Sequence, residues 1–445
     1  MKFEKESITL LIKALEKMEQ GFDALPEFKQ DFDKKAIMSV LSDVAERMQD
    51  NYPYHHPFYA GQMLKPPHAI ARLAYMLSMW INPNNHALDG GRASSVMEKE
   101  AVAGLAGMIG WSTHLGHLCS GGTMANLEAL WISGKLNPGR KIVASAQAHY
   151  THHRISEVLQ LPFQSLPCDS MMKMDLNMLE DLLKKGDIGT VVATIGTTAT
   201  GSLDPLPEIL KLRNKFHFNL HADAAYGGYF ILADNLRTET QITLEALNQV
   251  DSVVIDPHKH GMQPYGAGCV LFKNPAVGVF YKHDSPYTYF SSAELHLGEI
   301  SLECSRPGAA AVALWATQRL FPLIKGGLFA ANLASGREAA LKLFQLLKSD
   351  PRFLTLFEPE LDIVIWAPRA AEAAEISERS RWCFQKAAEK NLHLALVTFP
   401  AQLLKPHWPE VQLNQDTVTC LRSCLMKPEH LQWLPQIWNT LKEVV

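Results

Sequence analysis

The chain lacks any apolar run long enough to cross a bilayer: its most apolar stretches, 101–111 and 308–317, fall well short of the roughly 20 residues a spanning helix needs. It also lacks internal repeats, low-complexity tracts and long Pro/Gly/Ser linkers, so domain boundaries have to be read from the pattern of elements. Charge of one sign is missing too. The 42 Lys and Arg and 46 Asp and Glu residues are well mixed, giving a formal net charge of −4. That excludes a basic nucleic-acid footprint or a polybasic membrane patch. Cysteine is sparse and odd in number, seven in 445 residues. A disulfide framework is not expected, and the thiols read as reduced and mostly buried. Cys420 and Cys424, loosely flanked by His407 and His430, match no zinc spacing, and no metal is expected.

At the N-terminus, Ile8, Leu11, Ile12, Leu15 and Met18 recur at helical spacing among charges of alternating sign. No apolar core of a signal peptide follows, so neither a secretory nor a transit segment is expected, and the expected location is cytoplasmic. A hydrophobic content of 47% over this length permits a large core. Residues up to about 80 read as helical, broken at Asn51-Tyr52-Pro53-Tyr54-His55-His56-Pro57 by its prolines. From about 100 to 275 short β-branched runs alternate with amphipathic segments. Strands are expected at 141–146, 190–195, 218–222, 252–255 and 268–272, with helices at 176–185 and 206–216 between them. This alternation predicts an α/β domain with a largely parallel sheet. Helices at 333–347 and 370–389 and strands at 362–366 and 394–399 predict a smaller α+β unit at the end.

Against that frame, Lys259 closes the segment Asp256-Pro257-His258-Lys259, just after the strand at 252–255. Open α/β sheets bind ligands beyond the carboxyl ends of their strands. A lone lysine there is ordinarily only a solvated charge. Asp223, in His221-Ala222-Asp223-Ala224-Ala225-Tyr226-Gly227-Gly228, follows another strand, and its small neighbours leave room for a flat ring. Its carboxylate suits a pyridinium nitrogen, or else caps the next segment. Ser120-Gly121-Gly122-Thr123-Met124-Ala125-Asn126 opens a helix. Free backbone N–H groups and a hydroxyl there make a phosphate cradle, or simply a helix start. No P-loop lysine follows it, and no G-x-G-x-x-G fingerprint marks a nicotinamide site. His149 follows the strand at 141–146, where an imidazole can stack on a cofactor ring and orient a substrate carboxylate. With His152 and His153 it also suggests a metal cluster, but the acidic companion of H-E-x-x-H is absent. Thr197 and Thr198 follow the strand at 190–195. An amine, a carboxylate, a phosphate cradle and a stacking ring on one sheet edge are what a pyridoxal-5′-phosphate (PLP) site needs.

At these residues the chain resembles the group II PLP-dependent amino-acid decarboxylases of the fold-type I superfamily, which include aromatic amino-acid, glutamate and archaeal tyrosine/aspartate decarboxylases. The resemblance runs from His56-Pro57 to Pro307-Gly308, over half the chain. It is carried by Ser120-Gly121-Gly122-Thr123, Ala148-His149, Gly196-Thr197-Thr198, His221-x-Asp223-Ala224-Ala225 and Pro257-His258-Lys259. It implies a helical N-terminal segment (1–80), a PLP-binding large domain (81–325) with a mainly parallel seven-stranded sheet, and a small α+β C-terminal domain (326–445). Lys259 then resembles the Schiff-base lysine, Asp223 the partner of the pyridine nitrogen and His149 the stacking histidine. Thr198 resembles the threonine beside the ring, Gly122 and Thr123 the phosphate turn, and His258 the residue flanking the lysine.

Two departures stand out. Asp256 occupies a position where the aromatic and glutamate enzymes commonly have asparagine, and an aspartate facing a phosphate repels it unless turned away or protonated. The stretch His283-Asp284-Ser285-Pro286-Tyr287-Thr288-Tyr289-Phe290 is shorter than the mobile loop of the aromatic enzymes. It runs into Ser305-Arg306-Pro307-Gly308, which is similar to a segment of sphingosine-phosphate lyases. Tyr287, Tyr289 and His296 are the candidates for returning a proton to the product carbon, or else pack a dimer. Arg306 reads either as a receiver of a substrate carboxylate or phosphate, or as half of a structural ion pair. Gln62, in the stretch resembling the family's substrate mouth, suits a polar or acidic side chain, while Phe58 and Tyr59 suit an aromatic one or plain packing. The resemblance implies α-decarboxylation of an L-amino acid to the amine and CO₂ by a homodimer whose sites lie at the subunit interface. No nucleic-acid or membrane partner is expected. Carbon–carbon cleavage of a phosphorylated amino alcohol, decarboxylation coupled to transamination, and a silent PLP-fold binding module remain the alternatives.

Overall fold

The computed structural model describes residues 5–28, 31–282 and 301–445, so Tyr287, Tyr289 and His296 lie outside the described residues. Helices α1 (Lys5–Glu19) and α2 (Lys34–Met48) follow the apolar spacing near the start. Asp33 caps α2 by accepting the N–H groups of Lys35 and Ala36 at 2.9 and 3.1 Å. The proline-bearing stretch around 51–57 is irregular, and α3 (Ala69–Met79) and α4 (Arg92–Met108) follow it.

Seven strands then build one sheet: β1 (Leu115–Cys119), β2 (Lys141–Ser145), β3 (Phe163–Leu166), β4 (Ile188–Thr194), β5 (Asn219–Asp223), β6 (Ser252–Ile255) and β7 (Gly268–Phe272). Their spatial order is β1-β7-β6-β5-β4-β2-β3. The pairings from β3 through β6 are parallel, while β7 runs antiparallel to both β6 and β1. Each parallel step returns through a helix: α6 (Thr151–Val158), α7 (Leu176–Leu183), α8 (Leu206–Phe216) and α9 (Thr238–Glu245), with α5 (Gly122–Leu136) joining β1 to β2. Every residue of β4, β6 and β7 is buried, because helices cover both faces of such a sheet. That is why these strands read as continuous apolar runs. Strand β1 lacks such a run. Its Gly116 lets β7 approach, since a Cβ there would lie 2.7 Å from the Val270 carbonyl oxygen. Its His117 Nε2 meets Glu128 Oε2 of α5 at 2.8 Å.

Helices α10 (Gly308–Leu320) and α11 (Leu328–Ser349) lead into a second, antiparallel sheet. It comprises β8 (Phe353–Thr355), β9 (Ile363–Pro368), β10 (Ala395–Pro400) and β11 (Thr417–Cys424) in the order β10-β11-β9-β8. Helices α12 (Ala373–Glu389), α13 (Ala401–Leu404) and α14 (His430–Val444) complete this unit around buried Trp366, Leu421 and Leu441. The expected helix at 370–389 starts at Ala373 instead, because Glu372 forms a strand-like bridge to Gln412. Among the described residues, no helix is long and apolar enough to cross a membrane.

Candidate active site

Because β4, β5 and β6 are parallel and in register, their carboxyl ends stand side by side: Thr194 pairs with Asp223, and Asp223 with Val254. Beyond those ends lies a cavity of about 300 Å³. The turn after β6 swings Lys259 into it, with Lys259 N–H bonded to Asp256 O at 2.9 Å. Lys259 Nζ lies 3.2 Å from Asp256 Oδ2, and His258 Nε2 lies 3.5 Å from the same oxygen. The opposite wall is the start of α5. Gly122 is required there, since a Cβ would sit 2.6 Å from Asp256 Oδ2. The first-turn N–H groups of α5 have no helical acceptor and face the cavity with Ser120 and Thr123. Ser120 N–H already donates to Glu303 Oε2 at 2.9 Å.

Asp223 ends β5 at the cavity floor and is 5% exposed. Its Oδ2 receives His152 Nε2 at 2.8 Å and Asn126 Nδ2 at 3.3 Å, and its Oδ1 receives the Ala225 N–H at 3.2 Å. Burial works to raise its pKa, but the hydrogen bond from His152 and the positive Lys259 side chain nearby outweigh burial. The carboxyl is held well below the usual range, as a carboxylate. His149 lines the same cavity, its Nδ1 fixed by Thr151 Oγ1 at 2.8 Å and its ring 4.5 Å from that of Tyr150. Burial first, then the positive Lys259 side chain, depresses the His149 pKa, so the ring is neutral at pH 7. Thr198 is also on the lining.

Sequence and structural comparisons bear on this geometry. Residues 124–367, more than half the chain, match the pyridoxal-dependent decarboxylase conserved domain. The chain belongs to the pyridoxal-dependent decarboxylases. It is 26% identical to an L-tyrosine decarboxylase of Enterococcus faecium, over 77% of this chain and 74% of that protein. It is 28% identical to a probable L-tyrosine/L-aspartate decarboxylase of Methanococcus maripaludis, over 63% of this chain and 74% of the relative. Its fold is similar to that of the Oryza sativa TDC crystallised with PLP and tryptamine (TM-score 0.79, 16% identity, 100% and 99% of the two chains covered). Mouse CSAD is likewise similar, at a TM-score of 0.77 and 16% identity over 98% and 99% of the chains.

The cavity of this decarboxylase fits PLP by the chemistry of its walls: an amine, a buried carboxylate opposite it, a neutral imidazole and a helix N-terminus. PLP is its cofactor, and it acts as an amino-acid carboxy-lyase. Asp256 is not turned away from the cradle, as the sequence left open. It stands between Gly122 and Lys259 with its Oδ1 unpaired.

Arg306 does not line the cavity: its Nη1 donates to Glu98 Oε1 and to the Leu118 carbonyl, both at 2.7 Å, and its Nη2 to the Asn85 carbonyl at 2.9 Å. Of its two sequence readings, the structural ion pair is the one realised. Gln62 instead accepts Arg422 Nη2 at 2.6 Å, while Arg422 Nη1 donates to the Thr198 carbonyl at 2.6 Å. The sequence offers no sign of Arg422, and it presents His152 only within a histidine cluster and Asn126 only within the turn that opens α5. His152 carries a signal: it lies three residues after His149 at the start of α6, hence on a neighbouring face. Arg422 carries none, since it arrives from β11 of the other sheet.

Proposed function

We propose that this decarboxylase removes the α-carboxylate of an L-amino acid at the cavity between β4–β6 and α5. The reading rests on Lys259 and Asp223 converging there from separate strands, together with the family match. Lys259 Nζ is the amine that holds the cofactor through its aldehyde carbon. The Gly122-Thr123 turn receives the phosphate, His149 stacks on the ring, and Thr198 and His258 flank it. PLP supplies a conjugated electron sink for the bond that breaks. Asp223, kept ionised by its donors, accepts the ring nitrogen's proton in a hydrogen bond and holds it in place.

Arg422, buried just behind the lining where it holds the Thr198 carbonyl, anchors the substrate carboxylate in this account. Among the described residues its acceptors are neutral, a carbonyl and the Gln62 amide, so its charge is available to an anion. Lys259, or one of Tyr287, Tyr289 and His296, returns the proton to Cα. The division at about 80 and 325 is part of the proposal, supported by the separation of the two sheets. So is a homodimer. Helix α2 buries none of its residues, and Ile37, Leu41, Val44 and Met48 on it are 43–63% exposed, an apolar face that a second copy would cover. A cytoplasmic location is supported by seven unpaired cysteines.

The test is a panel of L-amino acids, led by tyrosine and aspartate, with a phosphorylated amino alcohol, scored for CO₂, amine and aldehyde. Equal CO₂ and amine from an amino acid is expected. Aldehyde without CO₂ from the phosphorylated alcohol would make it a carbon–carbon lyase, and aldehyde with CO₂ a coupled transaminating enzyme. No turnover of any member, with cofactor bound, would favour a silent binding module.

A further inference from the structure

Behind Asp223 lies a buried polar chain that the reaction as described does not use. His152 is 1% exposed, His221 fully buried and Asn126 3% exposed. An ionised carboxylate only accepts hydrogen bonds, so the group of Asn126 facing Asp223 is its NH₂. The Asn126 carbonyl oxygen then faces His221 Nε2 at 2.8 Å, which must carry a proton. His221 Nδ1 is thereby the acceptor for Ser252 Oγ at 2.8 Å. The direction of every bond is fixed from the carboxylate backwards: Ser252 to His221, His221 to Asn126, Asn126 to Asp223. The same reasoning puts the His152 proton on Nε2. Its Nδ1 is buried and makes no hydrogen bond within the protein, so a second proton there would be an unpaired buried donor.

We propose that His152 is a positioning residue that acts through Asp223: as a neutral Nε2–H donor it weakens the carboxylate as a base, so that the proton shared with the cofactor ring stays on the ring nitrogen. This rests on the reading of Asp223 as the ring's partner. Without that donor the carboxylate becomes the stronger base and draws the proton toward itself, which disables the ring as an electron sink. Asn126 supplies a longer bond to the same oxygen, 3.3 against 2.8 Å, and so a weaker version of the same restraint. The other titratable groups facing Asp223 are His149, His221 and Lys259. His149 is held by Thr151 and makes no hydrogen bond to Asp223, His221 is locked neutral by its two partners, and Lys259 is committed to the cofactor in the loaded enzyme, which leaves His152 as the adjustable donor.

The holoenzyme loaded with ring-¹⁵N PLP tests this by NMR, alongside the PLP dissociation constant. Wild type is expected to show a protonated ring nitrogen. His152→Phe should shift that signal toward neutral pyridine and weaken PLP about tenfold or more, the scale of one charge-assisted hydrogen bond. His152→Gln, which retains an N–H donor, should restore most of both. A His152→Phe enzyme with wild-type signal and affinity, or a Gln variant no better than Phe, overturns the proposal. A measurement that needs no variant is the ¹⁵N-histidine spectrum of the wild-type protein. It should show His152 protonated at Nε2 and bare at Nδ1; the reverse tautomer, or a doubly protonated ring, overturns it. The two possible failures separate. A ring nitrogen still protonated in Asp223→Ala overturns the pairing of Asp223 with the ring, whereas one still protonated in His152→Phe alone overturns the role of His152.

Discussion

Arg306 Nη1 sits 2.7 Å from Glu98 Oε1, and both side chains are buried to within a few per cent. The pair ties the chain after 301 to α4, and the Leu118 and Asn85 carbonyls accept from the two terminal nitrogens of the guanidinium. Removing one partner from such a pair leaves the other charge buried alone, at a cost of about 3–5 kcal/mol. Arg306→Met should therefore lower the thermal midpoint by several degrees while the folded fraction keeps a normal KM. A stable Arg306→Met protein with a raised KM would instead put the guanidinium on the substrate.

In the proposed site, Asp223→Asn removes the charge set against the ring nitrogen and turns an amide toward two donors, His152 and Asn126. The expected result is a loss in kcat on the order of 100-fold, the scale of a lost preorganised electrostatic contact. Weaker PLP retention should accompany it, and dialysis followed by absorbance measures that. Asp223→Glu should recover little, because the extra methylene carries the carboxylate off the His152 and Asn126 donors.

Acid stability should carry the mark of two buried histidines. Burial depresses His221 and His430 from the ordinary 6.5 to about 3, so both are neutral in the fold. Unfolded, they protonate below about 6.5. The unfolded chain therefore binds more protons between pH 6.5 and 3, and stability falls as pH drops through that window. Asp204 and Asp362, pushed up to about 6 by burial, work with the opposite sign between about pH 6 and 4. His430→Asn keeps an acceptor for the Lys427 N–H yet cannot protonate, so its melting temperature should decline less steeply below pH 6.5 than wild type. Parallel declines would remove His430 from the account.

The face of α2 offers a test of assembly. Leu41 and Val44 are 56% and 49% exposed on a helix with no buried residue. Leu41→Glu with Val44→Glu should shift sedimentation from dimer toward monomer with little change in the melting of the isolated subunit. A dimer unaffected by both charges would place the interface elsewhere.

The sequence was most legible where a strand is buried on both faces. The runs at 252–255 and 268–272 match β6 and β7 residue for residue, since short runs with almost no polar residue suit a strand covered on both faces. It was least legible where long-range partners set the conformation. Strand β1 holds Gly116 and His117, weak strand formers that make sense only beside β7 and Glu128. Strand β11 carries Thr, Arg, Ser and Cys among only two aliphatic residues, so no apolar run marks it although it lies between β9 and β10. At the site, Lys259, Asp223 and His149 each follow a strand and so announced themselves locally. Arg422 reaches the same neighbourhood from a strand about 160 residues further on, and Arg306 was drawn to Glu98, some 200 residues away. No local pattern records such pairings.

The central claim is that Lys259 holds the cofactor covalently. Borohydride reduction of the purified holoenzyme, followed by peptide mass mapping, tests it most directly. The account predicts one pyridoxyl-phosphate adduct per chain, on Lys259, and its loss, with the visible absorbance band, in Lys259→Ala. An adduct on any other lysine, or a visible band that survives Lys259→Ala, would contradict it.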